Sequence, residues 1–172
     1  MKIDAVDEIL NQWSEERPEL DTAPLGVVIR VMSLYRSFLR EATSALEPLG
    51  LELWEYDVLS ALRRQGKPFR LAASRLARET GLSSGAMTNR IDRLEGRGLV
   101  ERQPHADDRR RVMVRLTRQG TGVIDEALRY RLDAAHKSLR ELTARQQVQL
   151  AGLLRQVVLS NDMAAEEPSA RA

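Results

Sequence analysis

Apolar residues at Ile3, Val6, Ile9, Leu10 and Trp13 recur at helical spacing and predict a short amphipathic helix at the start of the chain. The stretch from Pro18 to Pro24 reads as a connector. Beyond it, Thr22 as a cap, Pro24 in the first turn and a stripe of Val28, Met32, Tyr35 and Leu39 predict a second helix with that stripe buried. Pro48 and Gly50 end it. A third helix is expected from Leu53 to Arg64, with Val58, Leu59 and Leu62 facing inward and Gly66 and Pro68 stopping it.

The next unit carries more information. Leu71, Leu76 and Ala77 predict a short helix from Leu71 to Thr80, closed by Gly81, which can take the left-handed conformation that a sharp turn needs. A second helix starts at once, capped by Ser83 or Ser84, with Met87, Ile91 and Leu94 pointing inward and Gly96 and Gly98 closing it. Two short helices joined by a tight glycine turn are the geometry of a helix-turn-helix, whose second helix can enter the major groove of duplex DNA.

Leu99 to Arg102 and Val112 to Leu116 then read as two strands of a hairpin, the second placing Val112, Val114 and Leu116 inward and Met113 and Arg115 outward. The polar loop between them, Gln103 to Arg111, ends in three arginines and has the composition of an arm seeking phosphate. After Thr117 one long helical pattern runs through Ile124, Leu128, Leu132, Ala135, Leu139 and Leu142, and another through Leu150, Leu153, Leu154, Val157 and Val158. The middle unit is too small to cover these stripes together with that of Val28 to Leu39, so the terminal helices are expected to pack against a second subunit. The tail after Asn161 is expected to be disordered.

The fold expected is therefore mainly α with a small β-hairpin wing: a winged helix-turn-helix over 53–117, flanked by dimerisation helices over 1–47 and 118–160, with a tail at 161–172. A possible ligand pocket belongs to the N-terminal helices.

Charge sharpens the picture. The chain carries only +2 overall, yet residues 63–118 hold fifteen basic and six acidic side chains, leaving the flanks net negative. Double-stranded DNA is the partner this asymmetry suits, with solvated helix-face arginines as the bland alternative. The chain has no cysteine, and its two histidines are far apart in sequence, so thiolate chemistry is excluded and a metal centre and a cofactor are not expected. The N-terminus is acidic and has no apolar run long enough for a signal or membrane helix, so no membrane association and a cytoplasmic location are expected.

The run LSSGAMTNRIDRLEGRGLVER followed by DDRRRVMVRLT resembles the MarR family of winged-helix transcriptional regulators. That resemblance implies an interlocked homodimer on a pseudo-palindromic operator, released by a small molecule. Two recognition helices in one dimer would address major grooves about 34 Å apart. The N-terminal QWSEERPELD is similar to the extension of the urate-responsive, PecS-like branch. In that branch a tryptophan, an aspartate and two arginines form the effector site, which places Trp13, Asp57, Arg90 and Arg102 at the matching positions here. The effector implied is urate or another small aromatic or carboxylate anion.

Ser83, Ser84, Thr88 and Asn89 lie at the start or exposed side of the recognition helix, where short polar side chains reach base edges or phosphates, and Arg93 joins them as a DNA-binding candidate. One serine can instead merely cap. Arg109 and Arg110 match the family's DRR at the wing and can enter the minor groove, with Asp107 or Asp108 bracing the loop and Arg111 a bystander. Arg90 can touch phosphate or pair with Asp57, and an ordinary structural salt bridge is the alternative to a ligand role. Trp13 can likewise be simple packing.

A ligand-responsive repressor is thus the leading function, and a sequence-tolerant architectural DNA protein without an effector is the runner-up. An enzyme is disfavoured: the sequence has no paired carboxylates in a recognisable setting, no nucleophile motif, no glycine-rich phosphate loop and no metal spacing.

Overall fold

A computed structural model of the chain describes residues 3–104 and 112–166, which divide into two compact units, Met1–Ala134 and Ala135–Ala172. Helix α1, Ala5–Glu16, starts in a capping box: the Asp4 carboxylate accepts from the Val6 and Asp7 amides at 2.9 and 3.0 Å, and Asp7 accepts from the Asp4 amide at 3.0 Å. It docks on α2, Ala23–Ser44, by burying Val6 and by laying Leu10 over Gly26, where a Cβ would come within 2.7 Å of Leu10 Cδ1. Arg30 of α2 closes the contact, donating to Asp4 at 2.8 and 2.9 Å and to Asp7 at 2.6 Å. The hydrogen bond from Arg30 is the main cause that holds the Asp4 carboxyl at a pKa of about 2.

One expectation for α2 is corrected. Thr22 adopts a helical backbone and makes no side-chain cap; the Ala23 amide is taken instead by Asp21 Oδ1 at 3.1 Å. The Val28 to Leu39 stripe, expected to need a second subunit for its cover, is open within the chain, with Val28 52% and Tyr35 65% exposed and Met32 and Leu39 also exposed. The residues α2 buries are Gly26 and Ala42.

A 3-10 turn, Glu47–Leu49, and Gly50 in the left-handed region lead into α3, Leu53–Arg63. Val58, Leu59 and Leu62 of α3 are fully buried at the centre of the core. Around them lie α4, Ala73–Glu79, α5, Ser84–Gly96, and a three-stranded antiparallel sheet of β1, Arg70–Ala72, β2, Val100–Pro104, and β3, Val112–Leu116, in the order β1-β3-β2.

Leu71, expected to open the first helix of the helix-turn-helix, is instead a strand residue opposite Val114, and the helix begins at Ala73. The hydrogen-bonding edge of β3 captures this segment, a long-range pairing that local periodicity does not register. The predicted hairpin thereby gains a third strand. Val114 and Leu116 face inward as expected, but Val112, at the far end of the hairpin beyond the core, is 42% exposed.

Helix α6, Arg118–Ser138, leaves the sheet through a tight junction. Thr117 Oγ1 donates to Gly98 O at 2.7 Å and accepts from the Gly120 amide at 2.9 Å, while a Cβ on Gly120 would lie 1.9 Å from Leu99 O. Ile124 and Ala127 enter the core, and Asp125 receives Arg63 of α3 at 2.7 and 3.3 Å. Leu128 and Leu132, in the stripe expected to pack against a second subunit, are exposed within the chain.

The second unit holds the end of α6 and α7, Ala144–Glu166. Thr143 and Gln146 cap α7 reciprocally, at 2.8 Å from the Thr143 amide and 3.3 Å from the Gln146 amide. Leu150, Leu153, Leu154, Val157 and Val158 are exposed, and α7 runs past Asn161, where a disordered tail was expected, to Glu166. Among the described residues no helix is long and apolar enough to cross a membrane.

Candidate nucleic-acid interface and effector site

Helices α4 and α5 form the helix-turn-helix. Thr80 Oγ1 donates to Leu76 O at 2.8 Å, Gly81 takes a positive φ of 67°, and the Leu82 amide returns to Ala77 O at 2.8 Å. Of the two serines left open by the sequence, Ser83 is the cap, its hydroxyl accepting from the Ala86 amide at 3.3 Å. Met87, Ile91 and Leu94 are buried, which fixes the rotation of α5 and leaves Ser84, Thr88 and Asn89 exposed on the opposite side. Thr88 Oγ1 donates to Ser84 O at 3.0 Å and keeps its acceptor capacity.

A second side of α5 faces α3. Arg90, Arg93 and Arg97 stand at spacings of three and four and meet Glu52, Trp54 and Glu55. The Arg90 and Arg93 guanidiniums lie 5.0 and 4.7 Å from the Trp54 ring centroid. Arg93 also donates to Glu52 Oε1 at 2.6 Å and Arg97 to Glu55 Oε2 at 2.6 Å, while Trp54 Nε1 donates to Glu52 Oε2 at 2.7 Å. Hydrogen bonds from Trp54 and then Arg93 lower the Glu52 pKa. Arg93, a DNA-binding candidate, keeps 60% of its side chain exposed while its guanidinium rests against Trp54 and Glu52.

Among the candidate effector residues, Asp57 is approached by Arg131, Arg90 and Arg64, none of which forms an ion pair with it within 4.0 Å. Desolvation raises its carboxyl pKa, against the pull of those three cations in that order. The side chain lines a cavity of about 240 Å³ with Ala61, Arg64, Glu79 and Thr80. The pairing of Arg90 with Asp57 considered above is therefore not a direct contact, since the Trp54 face holds the guanidinium.

Arg102 of β2 is engaged elsewhere. Its guanidinium donates to Asp92 Oδ1 at 2.6 Å, to Glu95 Oε2 and to Thr88 O at 3.4 Å, and its amide donates to Glu95 Oε1 at 3.0 Å. This ties the base of the wing to the recognition helix. Trp13 stands half-exposed on α1, and no hydrogen bond or ring contact joins it to Asp57, Arg90 or Arg102. The structure thus brings Asp57 and Arg90 into one electrostatic neighbourhood and leaves Trp13 and Arg102 outside it. Arg109 and Arg110, with Asp107, Asp108 and Arg111, lie outside the described residues.

The sequence reading missed Trp54, Glu52 and Glu55 as the seat of α5, and Arg131 as the cation that acts most on Asp57. A signal for the first three was present in the run Glu52-Leu-Trp-Glu55, whose two glutamates stand at capping-box spacing. Nothing local marks Arg131, which reaches α3 only through tertiary packing.

A MarR family model matches residues 49–111, the span from the turn before α3 through the wing. The chain is similar to the HTH-type transcriptional regulator PecS of Dickeya dadantii, with 29% identity covering 88% of this chain and 92% of PecS. It is 32% identical to the HTH-type transcriptional repressor Rv2887 of Mycobacterium tuberculosis, covering 78% of this chain and 93% of that one. Among solved structures it resembles a mutant MarR from E. coli complexed with operator DNA, with a TM-score of 0.67, 27% identity and coverage of 84% and 96% of the two chains. These relatives are transcriptional regulators rather than enzymes, and their likeness extends over the helix-turn-helix, the sheet and the flanking helices alike. The chain belongs to the MarR family of winged helix-turn-helix transcriptional regulators.

Proposed function

We propose that the protein is a cytoplasmic homodimeric repressor that sits on a pseudo-palindromic operator and is released by a small anionic ligand such as urate. The observation that carries this reading is the rotation of α5, which presents Ser84, Thr88 and Asn89 to solvent on a rigid helix whose other sides are packed. Ser83 caps that helix and, with Arg109 and Arg110 at the wing, completes the DNA-binding set; Arg93 contributes by holding α5 against Trp54. The likeness to an operator-bound MarR supports the docking mode. A second copy of the chain covers the exposed apolar faces of α2 and α7, since isolated apolar stripes of this length are costly in water.

Trp13, Asp57, Arg90 and Arg102 form the effector-responsive set in this reading, supported by the likeness to PecS and by the position of Arg90 on the recognition helix. A ligand that takes Arg90 from Trp54, or Arg102 from Asp92 and Glu95, changes the restraint on α5 and shifts the population away from the DNA-competent orientation.

The test is a gel-shift titration on the DNA upstream of the protein's own gene, against unrelated competitor DNA, with and without urate. Specific binding that urate releases is the expected result. Equal affinity for both DNAs would favour the architectural alternative, and specific binding indifferent to urate would remove that effector.

A further inference from the structure

One cavity of the helix-turn-helix unit holds positive charge alone. About 380 Å³ in volume, it opens between the turn after α3, strand β1 and the first turn of α4, and its walls include Gln65, Arg70, Leu71, Arg75 and Met113. Its only charged side chains among the described residues are the two arginines, whereas the cavity beside Asp57 also carries the Asp57 and Glu79 carboxylates.

Neither arginine stands where local structure favours it. Arg70 lies opposite Arg115 in the β1–β3 ladder, and like charges directly across a strand pair repel. Arg115 reaches Glu101 of β2 at 3.6 Å, but Arg70 is exposed and has no acceptor among the described residues. Arg75, in the first turn of α4, donates to Glu79 Oε1 at the end of the helix at 2.9 Å, the reverse of the charge order that a helix dipole favours. Guarding the open edge of β1 would account for a charge at Arg70. It does not account for two arginines that converge on one cavity with no carboxylate in its walls.

The place of the cavity identifies its occupant. Helix α4 is the first helix of the helix-turn-helix, the one that crosses the phosphate backbone when the second enters the major groove. Met113 adjoins Val112, the first residue of β3 after the wing. The cavity is therefore bounded by the backbone-crossing helix on one side and by the stem of the wing on the other.

We infer that Arg70 and Arg75 clamp one phosphate of duplex DNA at this cavity, outside the groove that α5 addresses. Two guanidiniums present forked N–H donors that match phosphate oxygens, and Arg115 adds its field from the next strand. The contact carries no base information; it fixes register and adds affinity on any sequence. This inference rests on the DNA-binding reading above and extends the footprint of the protein to β1.

The experiment is a fluorescence-anisotropy titration over a salt series, with the full-length protein on a duplex from upstream of its own gene and on an unrelated duplex. The samples are the parent, Arg70→Gln, Arg70→Lys, Arg75→Gln, the double variant Arg70→Gln/Arg75→Gln, and Arg17→Gln, which removes the same charge from the end of α1. Arg70→Gln should weaken binding to both duplexes by about threefold or more and lower the slope of log K against log salt by about 1. Arg75→Gln, on a different element, should repeat that loss, and Arg70→Lys should keep the parent slope. The double variant should fall little further than either single one, because both arginines serve one phosphate. Arg17→Gln should leave the slope unchanged. A slope that neither Arg70→Gln nor Arg75→Gln alters overturns the assignment, including the case in which Arg70→Gln only aggregates through a bared β1 edge in sedimentation. Equal losses in Arg70→Gln and Arg17→Gln, or fully additive losses in the double variant, overturn it as well, since each charge then acts alone. So does saturable binding of inorganic phosphate by the DNA-free parent that Arg70→Gln abolishes without changing DNA affinity. A parent that binds both duplexes equally defeats the repressor reading instead, and leaves the slope difference between the variants standing.

Discussion

Glu55, only 1% exposed, accepts hydrogen bonds from Arg97 Nη1 at 2.6 Å and from the Glu52 amide at 3.0 Å, so one carboxylate both caps α3 and anchors the end of the recognition helix. Replacing it by alanine strands both donors, and Glu55→Ala should lose about 3 kcal/mol in urea unfolding. Arg97→Ala should lose less, because the Arg97 side chain is partly solvated. Equal losses would show that the pair, rather than the buried carboxylate, carries the effect.

Asp57 is exposed, and the burial it does have still outweighs the cations around it. Desolvation raises its pKa above the ordinary value of 3.8 despite Arg131, Arg90 and Arg64. A carboxyl whose folded pKa exceeds its unfolded value binds its proton more tightly when folded, so its ionisation costs stability, fully so once the pH exceeds the folded pKa. Asp57→Asn should therefore melt higher than the parent at pH 7, with the gap closing as the pH falls below 3.8. The same variant should respond less to urate in the gel shift, and a variant that is stabilised yet fully responsive would remove Asp57 from the effector site.

Gly120 is required by close approach, not by backbone freedom. A Cβ there would sit 1.9 Å from Leu99 O, a backbone atom that cannot swing aside. Gly120→Ala should cost about 3 kcal/mol in chemical denaturation, whereas the same change at Gly122, where nothing lies within 4 Å of the added Cβ, should be neutral or slightly stabilising.

Base reading and phosphate attraction should separate on the DNA-facing side. Asn89→Ala should weaken operator binding by about 1–2 kcal/mol while leaving unrelated DNA and the salt slope unchanged. Replacing Arg109 and Arg110 together should weaken both DNAs and reduce the slope of log K against log salt by about 2. The measurement is a gel-shift series over salt concentration, and an unchanged slope in the double variant would take the wing off the phosphates.

Docking of α1 should be acid-labile. Arg30 holds Asp4 at a pKa of about 2, below its ordinary 3.8, so the stability this contact lends is complete above the unfolded value and is lost as the pH falls toward the folded one. Amide exchange across Val6 to Trp13 should speed up over that interval relative to the core helices. Arg30→Gln should show the faster exchange already at neutral pH.

The sequence by itself determined the elements whose cause is local. Gly81, Ser83 and the spacing of Met87, Ile91 and Leu94 make the helix-turn-helix legible, because a left-handed turn, a cap and a 3.6-residue period are properties of neighbouring residues. Tertiary structure decided what depends on the partner across the fold. Leu71 became a strand because β3 offered it an edge, and Arg93 turned to α3 because Trp54 and Glu52 receive it. Arg131 came to lie over Tyr56 only when α6 packed on α3, since residues 75 positions apart share no periodicity and only the closed core brings them together.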